Sequence, residues 1–505
     1  MTVAPAYDWI RHHAAYTPDA LAVVDLHSGR RMDYRAFDRR VDACANFLRE
    51  GLGVGVGDRV AILAHNSSDH FELKFACRRI GAIFLPLNWR LALPELEFIA
   101  GDAEPRVLIA GDGFMEVARA IQKSVGTPHL LDCCDGADSR YERGLAKSVG
   151  RAAVEPQTHD DTWALVYTSG TTGRPKGARL THGQAVYHAV NSSMAVEITR
   201  NTVNLAVLPL FHVGGLHLFS CCVFHFGGAV LVMRTFDPGD FLGYLADEDL
   251  GITHAFGVPT NFLFASQHED FAKTDLSRLV CVGVGGASPP LTLLETYAER
   301  GVIVQNGWGM TETCTLGTII SKDRALEKIG SSGQAVMHTS LRIVDPEGRD
   351  VGTDETGELW IKGPTITPGY WNRPDANESS FTDGWFHTGD AARMDEEGFV
   401  TIVDRYKDMF ISGGENVYPV EVENVIYQLD GIAETAVIGV GDDRWGEVGR
   451  AFVVTKDGSN LTEEAIVGHC RQNLAGFKVP KSVRFLDELP HNATGKILKH
   501  QLPRD

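Results

Sequence analysis

YTSGTTGRPKG, residues 167–177, gathers three glycines, four small hydroxyl side chains, a proline and a lysine into eleven residues. Glycines let a backbone approach an anion closely and point successive N–H groups at it. Thr168, Ser169, Thr171 and Thr172 add hydroxyl donors, and Lys176 adds a mobile positive charge. A surface Gly/Ser/Thr loop explains the glycines, but not a lysine fixed behind Pro175 between two apolar segments. The order Gly170-x-x-Gly173-x-x-Lys176-Gly177 is not that of a Walker A loop, in which Gly-x-x-x-x-Gly-Lys-Ser/Thr opens a helix. Pro175 biases Arg174 away from helical geometry. The pattern therefore predicts a loop that spans two strands and closes over a polyphosphate.

On both sides of this loop, short apolar runs alternate with helical patterns. GDRVAILAHNS (57–67) follows a helix-like stretch at 34–50, and IGAIFLPLN (80–88) and HAFGVPTNFLF (254–264) repeat the theme. Such alternation predicts α/β layering with substantially parallel sheets. GVGVGD (53–58) precedes a strand instead of following one, so it reads as a turn and not as a dinucleotide fingerprint. Between Arg200 and Arg234 there is no Asp, Glu, Lys or Arg, yet Pro209, three histidines and two Gly-Gly pairs interrupt the stretch. That predicts a buried strand-loop-helix-strand unit and no transmembrane segment. Around 330–403 the turns DPEG, ETG, TDG and DEEG predict a small β-rich subdomain.

The last hundred residues read as a separate α+β domain. Pro419 can open a helix whose apolar face carries Val422, Val425, Ile426 and Leu429. Strand-like runs follow at 436–440 and 451–455, and Thr462 with Glu463 and Glu464 suits a helix start. The expected division is a large N-terminal domain over 1–404, a hinge at 405–407 and a small C-terminal domain over 408–505.

The 505 residues leave room for two or more domains, and 44% hydrophobic with 22% charged residues is a soluble globular composition. A formal net charge of −19 argues against nucleic acid or an anionic membrane as a partner. Phosphates can still bind if positive groups are gathered locally. The nine cysteines include no Cys-x-x-Cys pair, so small buried thiols in a reducing cytoplasm are expected. MTVAPAYDWI has neither the basic nor the apolar region of a signal peptide, consistent with a cytoplasmic location. Peripheral membrane contact and homodimerisation stay open.

YTSGTTGRPKG resembles the phosphate loop of the adenylate-forming superfamily, which holds acyl- and aryl-CoA synthetases, peptide-synthetase adenylation domains and firefly luciferase. The resemblance extends in order through PLFHVGG (209–215), GGAS (285–288), NGWGMTET (306–313), WFHTGD (385–390), DRYKDMFISGGENVYPVEVE (404–423) and LPHNATGKILK (489–499). It covers the chain from about residue 20 to its end. ISGGENVYP and NATGK look most like bacterial fatty-acyl and aryl CoA ligases. The implied substrates are a carboxylic acid, ATP and CoA, with Mg²⁺. The carboxylate attacks the α-phosphate of ATP, pyrophosphate leaves, and a thiol then attacks the acyl-adenylate. Such chemistry needs no protein nucleophile and rests on positioning and charge stabilisation.

The resemblance implies that Thr168, Ser169, Gly170, Thr171, Thr172, Gly173 and Lys176 hold the β- and γ-phosphates, with Thr168 and Glu312 at Mg²⁺. Asn306, Gly307, Trp308, Gly309, Met310 and Thr311 would hold the adenine against Gly286 and Ala287, with the flat ring of Trp308 stacking where relatives often carry tyrosine. Asp390 would accept both ribose hydroxyls, beside Ile402, and Arg405 would bind ribose and phosphate. Lys496 would bridge the substrate carboxylate and the α-phosphate. The small domain would then swing about Lys407 and present Ser412, Gly413, Gly414, Trp445 and Phe477 to CoA; Val479 stands where some relatives have a basic residue. His212 would gate a pocket lined by Val213, Gly214, Val258, Gly285, Gly286 and Gly309. No carboxylate between Val203 and Met233 could pair an α-ammonium group, which favours an apolar acyl or aryl acid over an amino acid. Rival readings are loading of a carrier-protein thiol, a luciferase-like oxygenase and a non-catalytic nucleotide-binding scaffold. The scaffold reading fits poorly with Thr168, Lys176, Glu312, Asp390, Arg405 and Lys496 standing together.

Overall fold

The computed structural model of the chain describes residues 3–134, 138–168, 175–287, 289–405, 408–412, 415–442, 444–491 and 497–504, with backbone only for 404, 405, 415 and 416. One sheet has nine strands. Its parallel centre runs Leu21–Asp25, Ala229–Val232, Val203–Ala206, His254–Gly257, Cys281–Val284 and Val304–Trp308. A second sheet of six runs His129–Asp132, Pro105–Ala110, Arg59–Leu63, Ile83–Pro86, Thr162–Thr168 and Lys176–Thr181. Its first five strands are parallel and the last is antiparallel. The expected parallel layering is present. The departure is the hairpin 162–181, because the few residues between its strands are too short for a helical crossover.

Residues alternate between faces along each strand, and the core follows that period of two. Val23, Val60 and Ile62 share one cluster between the two sheets with helices Trp9–Tyr16, Tyr34–Asn46, Ser68–Ile80 and Ser220–Phe226. Val24 faces a second cluster, and Ala61 and Leu63 face a third, each covered by outer helices. Every residue of Ser68–Ile80 is buried, and its Asp69, Glu72 and Arg79 are ion-paired. Arg79 meets Asp8 at 2.7 Å and Asp42 at 2.8 Å, and also Asp38; Arg40 meets Glu72 and Glu142. The stretch 200–234 forms the expected strand, loop, helix and strand. Gly53 and Gly57 sit at positive φ in the turn before Arg59–Leu63. Residues 340–405 contribute a five-stranded antiparallel sheet.

Beyond residue 408, five strands and helices Pro419–Ile426 and Glu463–Asn473 form their own core. Its two clusters contain no residue before Phe410 among the described residues. The strand-like runs at 436–440 and 451–455 are parts of longer strands, Ile432–Asp442 and Gly446–Thr455. Internal glycines at 439, 441 and 449 hide that length from sequence. Thr462 caps its helix, its hydroxyl accepting from Ala465 N. All nine cysteines are free, and all but Cys134 are buried. Among the described residues, no helix is long and apolar enough to cross a membrane.

His491 Nε2 lies 3.0 Å from Glu434 Oε1. The hydrogen bond and charge of that carboxylate hold the His491 pKa above its ordinary value of 6.5. A raised pKa contributes stability that is complete below the unfolded value and fades as pH rises through the folded one. Denaturant titrations between about pH 5.5 and pH 8.5 should therefore show His491→Gln flattening the alkaline-side loss of stability. A variant whose slope matches the unsubstituted chain would remove this pair from the account.

Candidate active site

Four adjacent parallel strands end on one side of the nine-stranded sheet, where α/β folds bind ligands. Val203–Ala206 leads into 208–215, His254–Gly257 into Val258, Cys281–Val284 into 285–287, and Val304–Trp308 into 309–312. The fold thus brings His212, Val213, Gly214, Val258, Gly285, Gly286 and Gly309 to the same end of the sheet, on the loops after four adjacent strands. His212 Nδ1 accepts from Gly214 N at 3.1 Å. Burial without a counter-charge pushes its pKa down to about 4, so near neutral pH the ring is uncharged and its proton sits on Nε2. Val258 starts helix Pro259–Gln267, its N–H bonded to Asn261 Oδ1.

The glycines serve the chain itself. A Cβ on Gly285 would stand 2.6 Å from Gly307 O, one on Gly214 2.9 Å from Leu208 Cδ1, and one on Gly309 would overlap Thr315 O. Gly285 and Gly309 are thus required by neighbouring main-chain atoms, whereas the end of the Leu208 side chain can yield to a methyl on Gly214.

On the phosphate side, Thr168 ends one strand of the hairpin and pairs with Lys176, which begins the next. Ser169, Gly170, Thr171, Thr172 and Gly173 lie outside the described residues. Lys176 Nζ stands 5.2 Å over the Tyr370 ring, and Tyr370 OH donates to Glu312 Oε1 at 2.8 Å. Main-chain bonds reinforce the link: Thr367 N to Glu312 O at 2.7 Å and Trp371 N to Gly177 O at 2.8 Å. Segment 367–371 therefore fastens the buried Glu312 to the lysine-bearing strand. Glu312 sits in the short turn Thr311–Thr313, followed by Cys314 and Thr315 at φ 53° and 100°. Left-handed backbone at a β-branched residue is strained. A hydrogen bond of 2.9 Å between Thr315 Oγ1 and His188 Nε2 helps hold it.

Tyr370 escapes sequence reading because a tyrosine in an apolar GYW triplet looks like core. Tyr370→Phe keeps the ring under Lys176 but removes a hydrogen bond to a carboxylate, worth about 1.5–3 kcal/mol. Pyrophosphate release should fall about ten- to a hundred-fold, with more Mg²⁺ needed for half-maximal rate. An unchanged Mg²⁺ requirement would make the contact merely structural.

On the nucleotide side, the indole of Trp308 is committed differently from a free stacking surface. Its Nε1–H donates to Asp390 Oδ2 at 2.8 Å, and its ring crowds Gly317 within a cluster that also holds Met310 and Ile402. Trp308 thus orients the candidate ribose carboxylate, a role invisible in sequence because the pair is 82 residues apart. Asn306 is also redirected: its Nδ2 donates to Ser331 O at 2.9 Å and is buried. Gly307 lies inside the strand, Thr311 is buried, and Gly286 and Ala287 are exposed at the rim. Asp390 pairs in register with Arg405, whose side chain lies outside the described residues.

In the C-terminal domain, buried Ser412 pairs with Gly446, which brings exposed Trp445 beside it. Phe477 is half-buried against the domain core and Val479 lies within that core. Lys407, Gly413, Gly414 and Lys496 lie outside the described residues. His491 and Ile497 form an antiparallel bridge on either side of the segment holding Lys496.

The family described as AMP-binding enzyme matches residues 10–371, and its C-terminal domain matches residues 421–496. The chain is 40% identical over 500 residues to a feruloyl-CoA synthase of Amycolatopsis sp, covering 98% of each. It is 38% identical to the long-chain-fatty-acid–CoA ligase FadD13 of Mycobacterium tuberculosis, covering 97% of this chain and 96% of that protein. The crystal structure of ATP-bound MatB from Rhodopseudomonas palustris superposes with a TM-score of 0.91 at 31% identity, covering 98% of each chain. The chain belongs to the AMP-binding enzyme family of the adenylate-forming superfamily, among its acid–CoA ligases.

Proposed function

We propose that this ligase activates an apolar fatty or aromatic carboxylic acid. The acid forms an acyl-adenylate with ATP, releasing pyrophosphate, and then a thioester with CoA, releasing AMP. The observation that carries the reading is that four adjacent parallel strands end together, one of them leading into the loop with a neutral His212. The segment 203–233, which includes that loop, has no carboxylate to hold an ammonium group. A feruloyl-CoA synthase and a fatty-acid ligase among the relatives fit the same class.

In this reading the acid lies at these strand ends with its carboxylate towards the hairpin 162–181. Lys176 and the loop before it hold the β- and γ-phosphates, and Asp390, oriented by Trp308, holds the ribose. A buried carboxylate such as Glu312 suits Mg²⁺, which is commonly held by one or two carboxylates together with substrate phosphates. Glu312 and Thr168 would hold it, and it would neutralise charge on the phosphates. Lys496 reaches the α-phosphate only if the domain 408–505 closes on the domain 1–404. Rotation about 405–407 then brings Ser412, Gly413, Gly414, Trp445 and Phe477 to the thiol step.

The test is pyrophosphate release over fatty, phenylpropanoid, benzoic and dicarboxylic acids, with AMP measured with and without CoA. Fatty or aromatic monoacids should give the highest kcat/KM, and AMP formation should depend on CoA without carrier protein. Highest activity with a dicarboxylic acid would overturn the substrate class. AMP formation that needs a carrier protein, or oxygen-dependent light, would overturn the acceptor.

A further inference from the structure

The free edge of the six-stranded sheet carries a groove that the ligase chemistry does not use. Its edge strand is His129–Asp132, and a helix covers each face of the sheet beside it. Met115–Val125 packs Ala118 and Ile121 on one face, and Arg140–Lys147 packs Tyr141 and Leu145 on the other. Between them opens a cavity of about 740 Å³. The phosphate-loop hairpin lies at the opposite edge, five strand spacings or roughly 24 Å away.

The lining is unusual for a chain of net charge −19. It presents Arg119 from one helix and Arg140, Arg143 and Lys147 from the other, with no carboxylate in the lining among the described residues. The last three recur at helical spacing and so share a helix face. The side chains of Arg119 and Lys147 make no hydrogen bond or ion pair with the described residues. Arg140 donates from its side chain to Leu130 O at 3.2 Å, and Arg143 to Asp138 O, so both keep further N–H donors. Asp132, whose Oδ1 accepts from Arg140 N at 3.2 Å, stands at one end. Nearby Arg30 and Arg40, by contrast, are each paired with two or more carboxylates.

The floor is apolar. Phe47 opens a π-helical turn, Phe47–Gly51, a local widening often found at functional sites. Its ring lies against two glycines: a Cβ on Gly51 would stand 2.8 Å away, and one on Gly144 would overlap the ring. The backbone thus closes around an aromatic side chain that lines the groove instead of vanishing into the core.

We propose that this groove binds a soluble anionic amphiphile, a molecule with a phosphate or carboxylate head on an apolar body. The head sits among Arg119, Arg143 and Lys147, where it relieves repulsion between unpaired cations. The body covers Phe47 and Leu131. This assignment is independent of which acid the ligase activates.

The probe is monododecyl phosphate below its micelle concentration, titrated calorimetrically into the full chain. Arg119→Glu with Arg143→Glu should weaken binding at least about ten-fold, and Lys147→Glu alone should weaken it measurably. Pyrophosphate release without the probe should stay unchanged in both variants. Inorganic phosphate should bind far more weakly, and decanoate in place of the phosphate ester tells which head is preferred. Equal affinity in the charge-reversed variants would overturn the proposal. Equal binding of inorganic phosphate would reduce the groove to an anion patch. Binding of phosphatidylglycerol vesicles without binding of the monomer would make it a membrane contact instead.

Discussion

Lys496→Ala should lower pyrophosphate release by about a thousand-fold while sparing thioester formation from supplied acyl-adenylate and CoA. The asymmetry follows from where charge develops. In the first half-reaction a carboxylate approaches an α-phosphate, and two anions meet. A fixed ammonium between them relieves the repulsion and stabilises the charge growing on phosphorus. In the second half-reaction the adenylate is already formed and a thiol attacks a carbonyl, so no ammonium is needed at phosphorus. The variant should fold normally. The described residues before and after Lys496 are joined by the His491–Ile497 bridge and by Leu498 N donating to Pro490 O at 2.7 Å. Ile497 also packs on the cluster of Leu489 and Leu502. Pyrophosphate exchange and a separate assay with synthetic adenylate distinguish the halves. Loss of both to the same extent would contradict the role given to Lys496 and point to a general structural defect.

How far the sequence could be read depends on the range of the interactions concerned. The two strands on either side of the candidate phosphate loop were legible because Pro175 and the glycines act on their own backbone, whereas the antiparallel pairing of those strands was not. The parallel layering was legible because strand and helix periods are local. What escaped joins residues far apart: Trp308 to Asp390, Tyr370 to Glu312, and Arg79 to Asp8, Asp38 and Asp42. A tryptophan and a tyrosine each advertise an apolar ring, and only the fold reveals where the polar atom goes. Arg79 looks like a surface residue in the sequence CRRIGA, until the helix carrying it is enclosed between two sheets. The glycines at the strand ends were legible as small and misleading as to why. They were expected to line a pocket for the acid, whereas Gly309 and Gly285 chiefly leave room for neighbouring main chain.

That distinction gives the largest expected effect on stability, from the loss of a single hydrogen at Gly309. A Cβ there would overlap the carbonyl oxygen of Thr315. The carbonyl cannot easily retreat, because it accepts from Thr313 Oγ1 at 2.8 Å, and Gly317 N donates to Trp308 O at 2.9 Å just beyond. Thr315 is also already in left-handed backbone, so little conformational slack remains. Gly309→Ala should therefore cost about 4 kcal/mol or more in denaturant unfolding, and any folded fraction should have lost pyrophosphate release because relief must move the turn that carries Glu312. Gly286→Ala is the control at the same end of the sheet. Gly286 has φ 80° but its Cβ would stand 3.4 Å from Val258 Cγ1, an ordinary contact. Only backbone strain of about 1–2 kcal/mol is expected there. If Gly309→Ala were the milder of the two, the close approach of the 309 and 315 backbones could not be what requires glycine. The residue would then be explained by access for the acid, and activity should fall most with the bulkiest substrates.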